Sequence, residues 1–508
     1  MCDLKLNGIE VHKMFTPDEA YPELFVAVQG SALYPDSKTF VDLEPLYDAA
    51  FINSEYSRLS IDEGFDLRQF VEAHFRKEPL ADVTATREKD ICQHIRSLWP
   101  VLSRQPEVLS DYSSRLPLNH AYVVPGGRFN EIYYWDSYFT QLGLAAQGEL
   151  ELLRSMVDNF ADMIASLGFI PNGNRTYFCT RSQPPFFALM VELLVEQGDE
   201  GAYQRYFNAL QREYAFWMAG AAELDPSSAH RRVVNTSKGV LNRYWDEADT
   251  PRQESYKEDV ELVYESGRNA AELYRDLRAG AESGWDFSSR WCTGDSLGSI
   301  RTTEILPVDL NVLLYLLEST LMRAADTTGQ AEMAGVYERA AQKRATLIQN
   351  IFFDAEGYFA DLDSKKLTST GKLTLATLFP LFAGVASAEQ AKSVAAQVEQ
   401  HLLRQGGWVT TEIHSGQQWD APNGWAPLQW IAFVGLKRYG FVDLAELAAK
   451  RWLHTNELIF NLHGKMIEKY NVEQPEQLSG GGEYAVQDGF GWSNGVYLAL
   501  RQALGLDI

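Results

Sequence analysis

Residues 309–320 read Asp-Leu-Asn-Val-Leu-Leu-Tyr-Leu-Leu-Glu-Ser-Thr. Leu310, Leu313, Leu314 and Leu317 recur at helical spacing along one face, and Asp309 is placed to cap the first turn. The same 3.6-residue period predicts helices at 148–167, 186–198, 202–224, 331–351, 374–386, 389–403, 427–439, 442–459 and 491–504, with two more near 66–79 and 88–99. Gly198, Gly329, Gly406 and Gly440 follow helical runs as stop signals. No segment alternates as a strand for more than a few residues, and no Gly/Ser linker divides the chain.

Long, weakly periodic loops separate these helices at 118–136, 168–185, 226–256, 283–308, 405–426 and 465–490. Loops of more than about 12–15 residues inside a compact domain usually carry function. Helix pairs alternating with such loops predict an all-α fold, an (α/α)6 toroid with its loops gathered at one mouth. An irregular solenoid would show a fixed repeat length, and none is present. Residues 1–95, with an irregular stretch around 34–45, are expected to form an extension packing on the barrel. Residues 96–508 are expected to form the barrel as one unit.

The 508 residues carry 45 Lys and Arg against 69 Asp and Glu, a formal net charge of −24. That excess repels phosphate backbones and anionic lipid, so neither nucleic acid nor membrane is expected as a partner. No stretch is apolar for the roughly 18 residues that a transmembrane helix needs. Four cysteines, Cys2, Cys92, Cys179 and Cys292, lack metal or disulfide spacing and read as thiols of a reducing compartment. The N-terminus carries acids and lysines where a secretory leader has its apolar core. A cytoplasmic, monomeric protein acting on a small molecule is the expectation.

Tryptophan is followed by Asp at 135, 245, 285 and 419. Only Trp245 and Trp285 lie at the roughly 40–45-residue spacing of propeller blades, so a propeller is excluded. The loops instead concentrate aromatic rings with Asp, Glu, Asn and Arg. Sugars need that mixture: rings cover C–H faces, while polar side chains bond pairs of hydroxyls. The segments are PGGRFNEIYYWDSY at 125–138, PNGNR at 171–175, RSQPP at 181–185, PRQES at 251–255, SGWDFSSRW at 283–291, QWDAPNGWAP at 418–427, IEKYN at 467–471 and GGGEY at 480–484.

Their identity and order resemble the trehalases, glycoside hydrolase family 37, from about residue 120 to 495. The resemblance implies an (α/α)6 barrel that hydrolyses α,α-trehalose to two glucoses with inversion, using water and no cofactor or metal. It assigns Asp286 as general acid and Glu468 as general base. The substrate-binding residues it implies are Arg128, Trp135, Asp136, Asn172, Arg181, Ser182, Gln183, Arg252, Glu254, Gly284 and Glu483.

The residues themselves fit this chemistry. An inverting glycosidase needs one protonated carboxyl and one carboxylate that activates water. Asp286 lies between Trp285 and Phe287, an apolar setting that raises a carboxyl pKa; the competing role for it is a cap ahead of Ser288 and Ser289. Glu468 shares its stretch with Glu473, Glu476 and Glu483, but Lys469 beside it favours an ionised form. The segment 472–479 departs from the family pattern with two extra acids. Trehalose is neutral, so the arginines are expected to hold carboxylates such as Asp136 and Glu254 while donating to hydroxyls. Trp419 and Trp425 read as wall residues. Gly480, Gly481 and Gly482 read as the hinge of a lid spanning 472–484.

Two rivals share the fold class. A sugar epimerase or isomerase would need a pair of bases, often His, across one ring. His12, His74, His94, His230 and His401 lie outside the loop constellations. A catalytically dead sugar-binding protein would lack one of the two carboxyls, and both are present.

Overall fold

A computed structural model of the chain describes residues 5–6, 9–10, 15–31, 33–77, 90–106, 109 and 113–508. Helix Val308–Thr327 contains the leucine run, with Leu310, Leu313, Leu314, Leu317 and Leu321 all buried. Its N-cap is Pro307, not Asp309. The Asp309 carboxylate is instead taken by the Arg290 guanidinium, at 2.7 and 2.9 Å.

This helix belongs to an inner ring of six, with Tyr134–Ala146, Phe187–Glu196, Phe379–Phe382, Ala426–Arg438 and Gly491–Ala503. Six outer helices alternate with them along the chain: Ile91–Leu102, Leu150–Leu167, Ala202–Trp217, Ala331–Leu347, Ala388–His401 and Val442–His463. The ring closes where Gly491–Ala503 packs on Tyr134–Ala146. There a Cβ on Gly495 would lie 2.0 Å from the Phe139 carbonyl oxygen, and one on Gly143 would lie 2.6 Å from the Gly495 Cα. Only glycine permits so close an approach.

Two expected elements differ, and two helices are unexpected. The segment 374–386 forms only a 3-10 turn at Leu375–Leu378 and one α-turn at Phe379–Phe382, where Pro380 supplies no amide hydrogen. The expected loop 226–256 contains a three-stranded antiparallel sheet, Ser228–His230, Val233–Thr236 and Gly239–Asn242. Helices Tyr256–Ser266 and Ala270–Glu282 follow it, in an excursion between the outer helix Ala202–Trp217 and the inner helix Val308–Thr327.

The N-terminal part has its own apolar cluster, built on Tyr21, Leu24, Phe25, Phe40, Ile52 and Phe70, which reaches Tyr133, Tyr177 and Phe178 of the barrel loops. Helices Leu67–His74 and Ile91–Leu102 match the two expected there; positions 78–79 and 88–89 lie outside the described residues. Because Ile91–Leu102 is an outer-ring helix running through residue 95, we propose that the extension ends before it.

Candidate active site

The loops converge on a cavity at the mouth of the ring. Arg128, Trp135, Asp136, Asn172, Arg181, Gln183, Arg252, Glu254, Gly284, Asp286, Glu468 and Glu483 all line it. Ser182 does not. Its amide donates to Glu282 Oε1 at 2.8 Å and its hydroxyl to the Ile170 carbonyl at 2.6 Å, so it braces the wall from behind.

Trp135 and Asp136 were read as loop residues; both sit in the first turn of the inner helix Tyr134–Ala146. Burial raises the Asp136 carboxyl well above its usual range, and the carboxyls of Glu468 and Asp286 add to that rise. Among the described residues no arginine pairs with Asp136, which corrects the expectation that one holds it ionised. Trp135 is fixed by its amide donating to Gln183 Oε1 at 3.1 Å. Its indole also explains Gly284, where φ is +73° and a Cβ would lie 2.8 Å from the ring.

Asp286 follows Trp285, whose ring stacks on Trp419, which in turn stacks on Trp425 at 3.9 Å and 3°. Trp419 and Trp425 line one side of the cavity as a wall, with Trp285 stacked against Trp419. Burial pushes the Asp286 carboxyl up to about 7, Arg252 opposing and Glu483 adding to the rise. Asp286 is not a cap; Ser288 caps the turn Ser289–Trp291. The loop is anchored by the buried Asp420, which accepts from Ser288 Oγ at 2.8 Å and from the Ser289 amide at 2.7 Å.

Glu468 lies at the edge of the strand Lys469–Asn471, which pairs with Asn423–Trp425. It is 1% exposed. Its carboxylate accepts from Tyr484 Oη at 2.7 Å and lies 3.3 Å from Lys469 Nζ. Its carbonyl accepts from Trp492 Nε1 at 2.8 Å.

Each arginine has its own acid. Arg181 donates to Glu254 at 2.7 Å and to Asn172 Oδ1 at 3.0 Å. Arg252 grips Asp259 at 2.6 Å and reaches Glu483 at 3.1 Å, while Ser255 Oγ donates to the other Glu483 oxygen at 3.0 Å. Arg128 lies 3.4 Å from Asp36 and stacks over Tyr484. Glu254 stays below the usual carboxylate range: burial opposes ionisation, and Arg181 and Arg252 outweigh it.

Several cavity residues carry no role in the sequence reading, among them Tyr484, Gln418, Asp36 and Lys38. Tyr484 and Gln418 stand inside quoted motifs, but only their three-dimensional partners give them a role. Asp36 and Lys38 come from the N-terminal extension. Lys38 Nζ donates to Glu131 at 3.1 Å, and Arg175 Nε donates to the other Glu131 oxygen at 2.7 Å. This buried cluster locks the extension to the loop that carries Arg128. Among the described residues no group of His, Cys, Asp and Glu could hold a metal ion, and no helix is long and apolar enough to cross a membrane.

A helical ring whose mouth sets paired carboxyls among arginines and stacked indoles defines a carbohydrate-processing enzyme of the (α/α)6 class. A sequence model of the family "Trehalase" matches residues 32–505. The periplasmic trehalase of Xanthomonas campestris pv. campestris (strain B100) is 52% identical over 489 residues, 96% of this chain and 86% of that protein. The periplasmic trehalase of Pseudomonas aeruginosa PAO1 is 50% identical over 498 residues, 97% and 91% of the two chains. The structure of the neutral trehalase of Saccharomyces cerevisiae superposes with a TM-score of 0.63 at 26% identity, covering 82% of each chain. The chain belongs to the trehalase family of glycoside hydrolases.

These names correct the cytoplasmic expectation, since relatives aligned over nearly the whole chain are periplasmic proteins. The cysteines misled for a physical reason. Cys92, Cys179 and Cys292 are free, with Cys92 and Cys292 buried. Thiols walled off from one another stay thiols in any compartment.

Proposed function

We propose that this chain hydrolyses α,α-trehalose to two glucose molecules with inversion at one anomeric carbon, Asp286 acting as general acid and Glu468 as general base. One observation carries the reading. Within one cavity, Asp286 holds its proton up to about pH 7, while Glu468 sits against the Lys469 ammonium and the Tyr484 phenol. Asp286 gives its proton to the glycosidic oxygen as the C1–O bond breaks. Glu468 takes a proton from water as the water oxygen bonds C1 from the opposite face. The attacked sugar leaves as β-glucose and the other as α-glucose.

Arg128, Trp135, Asp136, Asn172, Arg181, Gln183, Arg252, Glu254 and Glu483 bind the two glucosyl units through hydroxyl pairs and ring faces. Gly284 makes room for Trp135, and Ser182 acts from behind the wall. Proton NMR of the first turnover tests the mechanism. Equal α- and β-glucose supports inversion, whereas α-glucose alone overturns it. The periplasm is the compartment we propose, checked by cell fractionation.

A further inference from the structure

Tyr484 stands one residue from Glu483 and donates a hydrogen bond to the Glu468 carboxylate. Its Oη lies 2.7 Å from Glu468 Oε1. The Tyr484 ring is held from several sides: Arg128 lies 4.7 Å from its centroid, Lys469 Nζ 5.0 Å, and the Phe129 ring meets it edge-on at 5.5 Å. Next to it, Glu483 is clamped by Arg252 and Ser255, on a wall of the cavity remote in sequence from Glu468. Two consecutive residues therefore tie the 472–484 strip to both sides of the site.

We infer that Tyr484 is a positioning residue for the reaction, fixing the Glu468 carboxylate through its phenol only when the strip that carries Glu483 is seated against Arg252. The inference rests on Glu468 being the base. A carboxylate with free rotation about its last bond presents either oxygen to water. Binding Oε1 to the phenol and setting Oε2 toward Lys469 fixes the rotation of the carboxylate and so the direction of the lone pair left free on each oxygen for the proton transfer. The phenol can only donate here, because burial and the neighbouring Glu468 and Asp286 carboxyls raise its ionisation well above the ordinary range. The charged and titratable groups around this carboxylate are Lys469, Tyr484, Asp136 and Asp286. Removing the phenol hydroxyl thus takes away one of the two donors that the described residues supply to the anion.

The test is Tyr484→Phe, which keeps the ring and its packing and deletes only the hydroxyl. The expected result is a fall in kcat of about 10–100-fold, the range for losing a hydrogen bond to a charged group, with KM changed less than about threefold. The acidic limb of the kcat/KM profile moves to higher pH, because a donor to the carboxylate is lost. A purely structural role for the ring predicts unchanged kcat and an unmoved acidic limb, and that result overturns the inference. Glu468→Gln, measured beside it, separates the two levels. If that variant stays active, the base assignment itself fails; if it is dead while Tyr484→Phe is normal, only the positioning role fails. Should Tyr484→Phe fold poorly, fluorotyrosine at 484 serves instead. Its more acidic phenol donates more strongly to the Glu468 carboxylate and must move the acidic limb to lower pH, and an unmoved acidic limb refutes the role.

Discussion

Gln418 Oε1 accepts a hydrogen bond from Lys469 Nζ at 2.7 Å, and the same amide donates through Nε2 to the Asp286 carbonyl at 2.5 Å. One side chain thereby spans from the segment carrying the proposed acid to that carrying the proposed base. Lys469 is fully buried, so its ammonium depends on these partners. Gln418→Leu should lower kcat by about 10–100-fold through misplacement of the two carboxyls. It should also cost about 1–3 kcal/mol in urea unfolding, since a buried charged donor loses an acceptor. Wild-type values for both would show that the bridge is incidental.

Asp286→Asn should fold normally and lose about 10²–10⁴-fold in kcat. Because Asp286 holds its proton up to about 7, kcat/KM of the natural enzyme should fall as pH rises through that value. The linkage runs the same way. A carboxyl whose folded pKa is raised favours the folded state below its unfolded value near 3.9, and that advantage is lost as pH rises towards 7. The asparagine variant should therefore melt above the natural enzyme at pH 8. A pH-independent difference in melting temperature would contradict this.

Glu131, buried between Lys38 and Arg175, is the clearest acid-labile point. Burial opposes its ionisation, yet Lys38, Arg175 and Arg115 together hold it to about 2. Its contribution to stability is complete above its unfolded pKa of about 4.3 and is lost as pH falls to about 2. Glu131→Gln leaves two buried cations short of an anion and should cost about 3–5 kcal/mol at neutral pH. Acid titration of unfolding should show the natural protein losing this advantage below about pH 4.

The three consecutive glycines are not equivalent. Gly480 has no atom near its would-be Cβ. Gly481 and Gly482 have φ of +89° and +84°, and a Cβ on them would approach the Gly416 carbonyl at 2.8 Å and Gln418 Oε1 at 2.9 Å. Gly480→Ala should leave turnover within about twofold, while Ala at 481 or 482 should lower it, left-handed backbone costing about 1–2 kcal/mol. We propose that the 472–484 strip opens to admit substrate. Hydrogen exchange should then be faster there without ligand than with a trehalose-like inhibitor, and equal rates in both states would exclude a lid.

Much of this was legible because loop motifs and helical period are local properties. The leucines of 309–320 announce their helix, and the run 283–291 carries its carboxyl between aromatic rings in the sequence itself. Asp136 was misplaced in a loop because Tyr134–Ala146 is buried nearly all round, which erases the amphipathic period. Asp36 and Lys38 reach the cavity from a separate part of the chain, and nothing near them signals a sugar. Tyr484 was quoted as a motif letter; its bond to Glu468 exists only after the strip folds back. The pairing of each arginine with a particular acid is likewise tertiary, which is why Asp136 was wrongly given one.

The glycine contact between Tyr134–Ala146 and Gly491–Ala503 has a consequence for biogenesis. The first and last inner helices meet, so the ring's closing seam joins parts of the chain made at opposite ends of translation. Inner helices made early must keep an apolar flank uncovered until residue 503 has emerged from the ribosome, and sequence-distant contacts of this kind slow folding. Truncation within 491–503 should yield an aggregating polypeptide rather than a smaller enzyme.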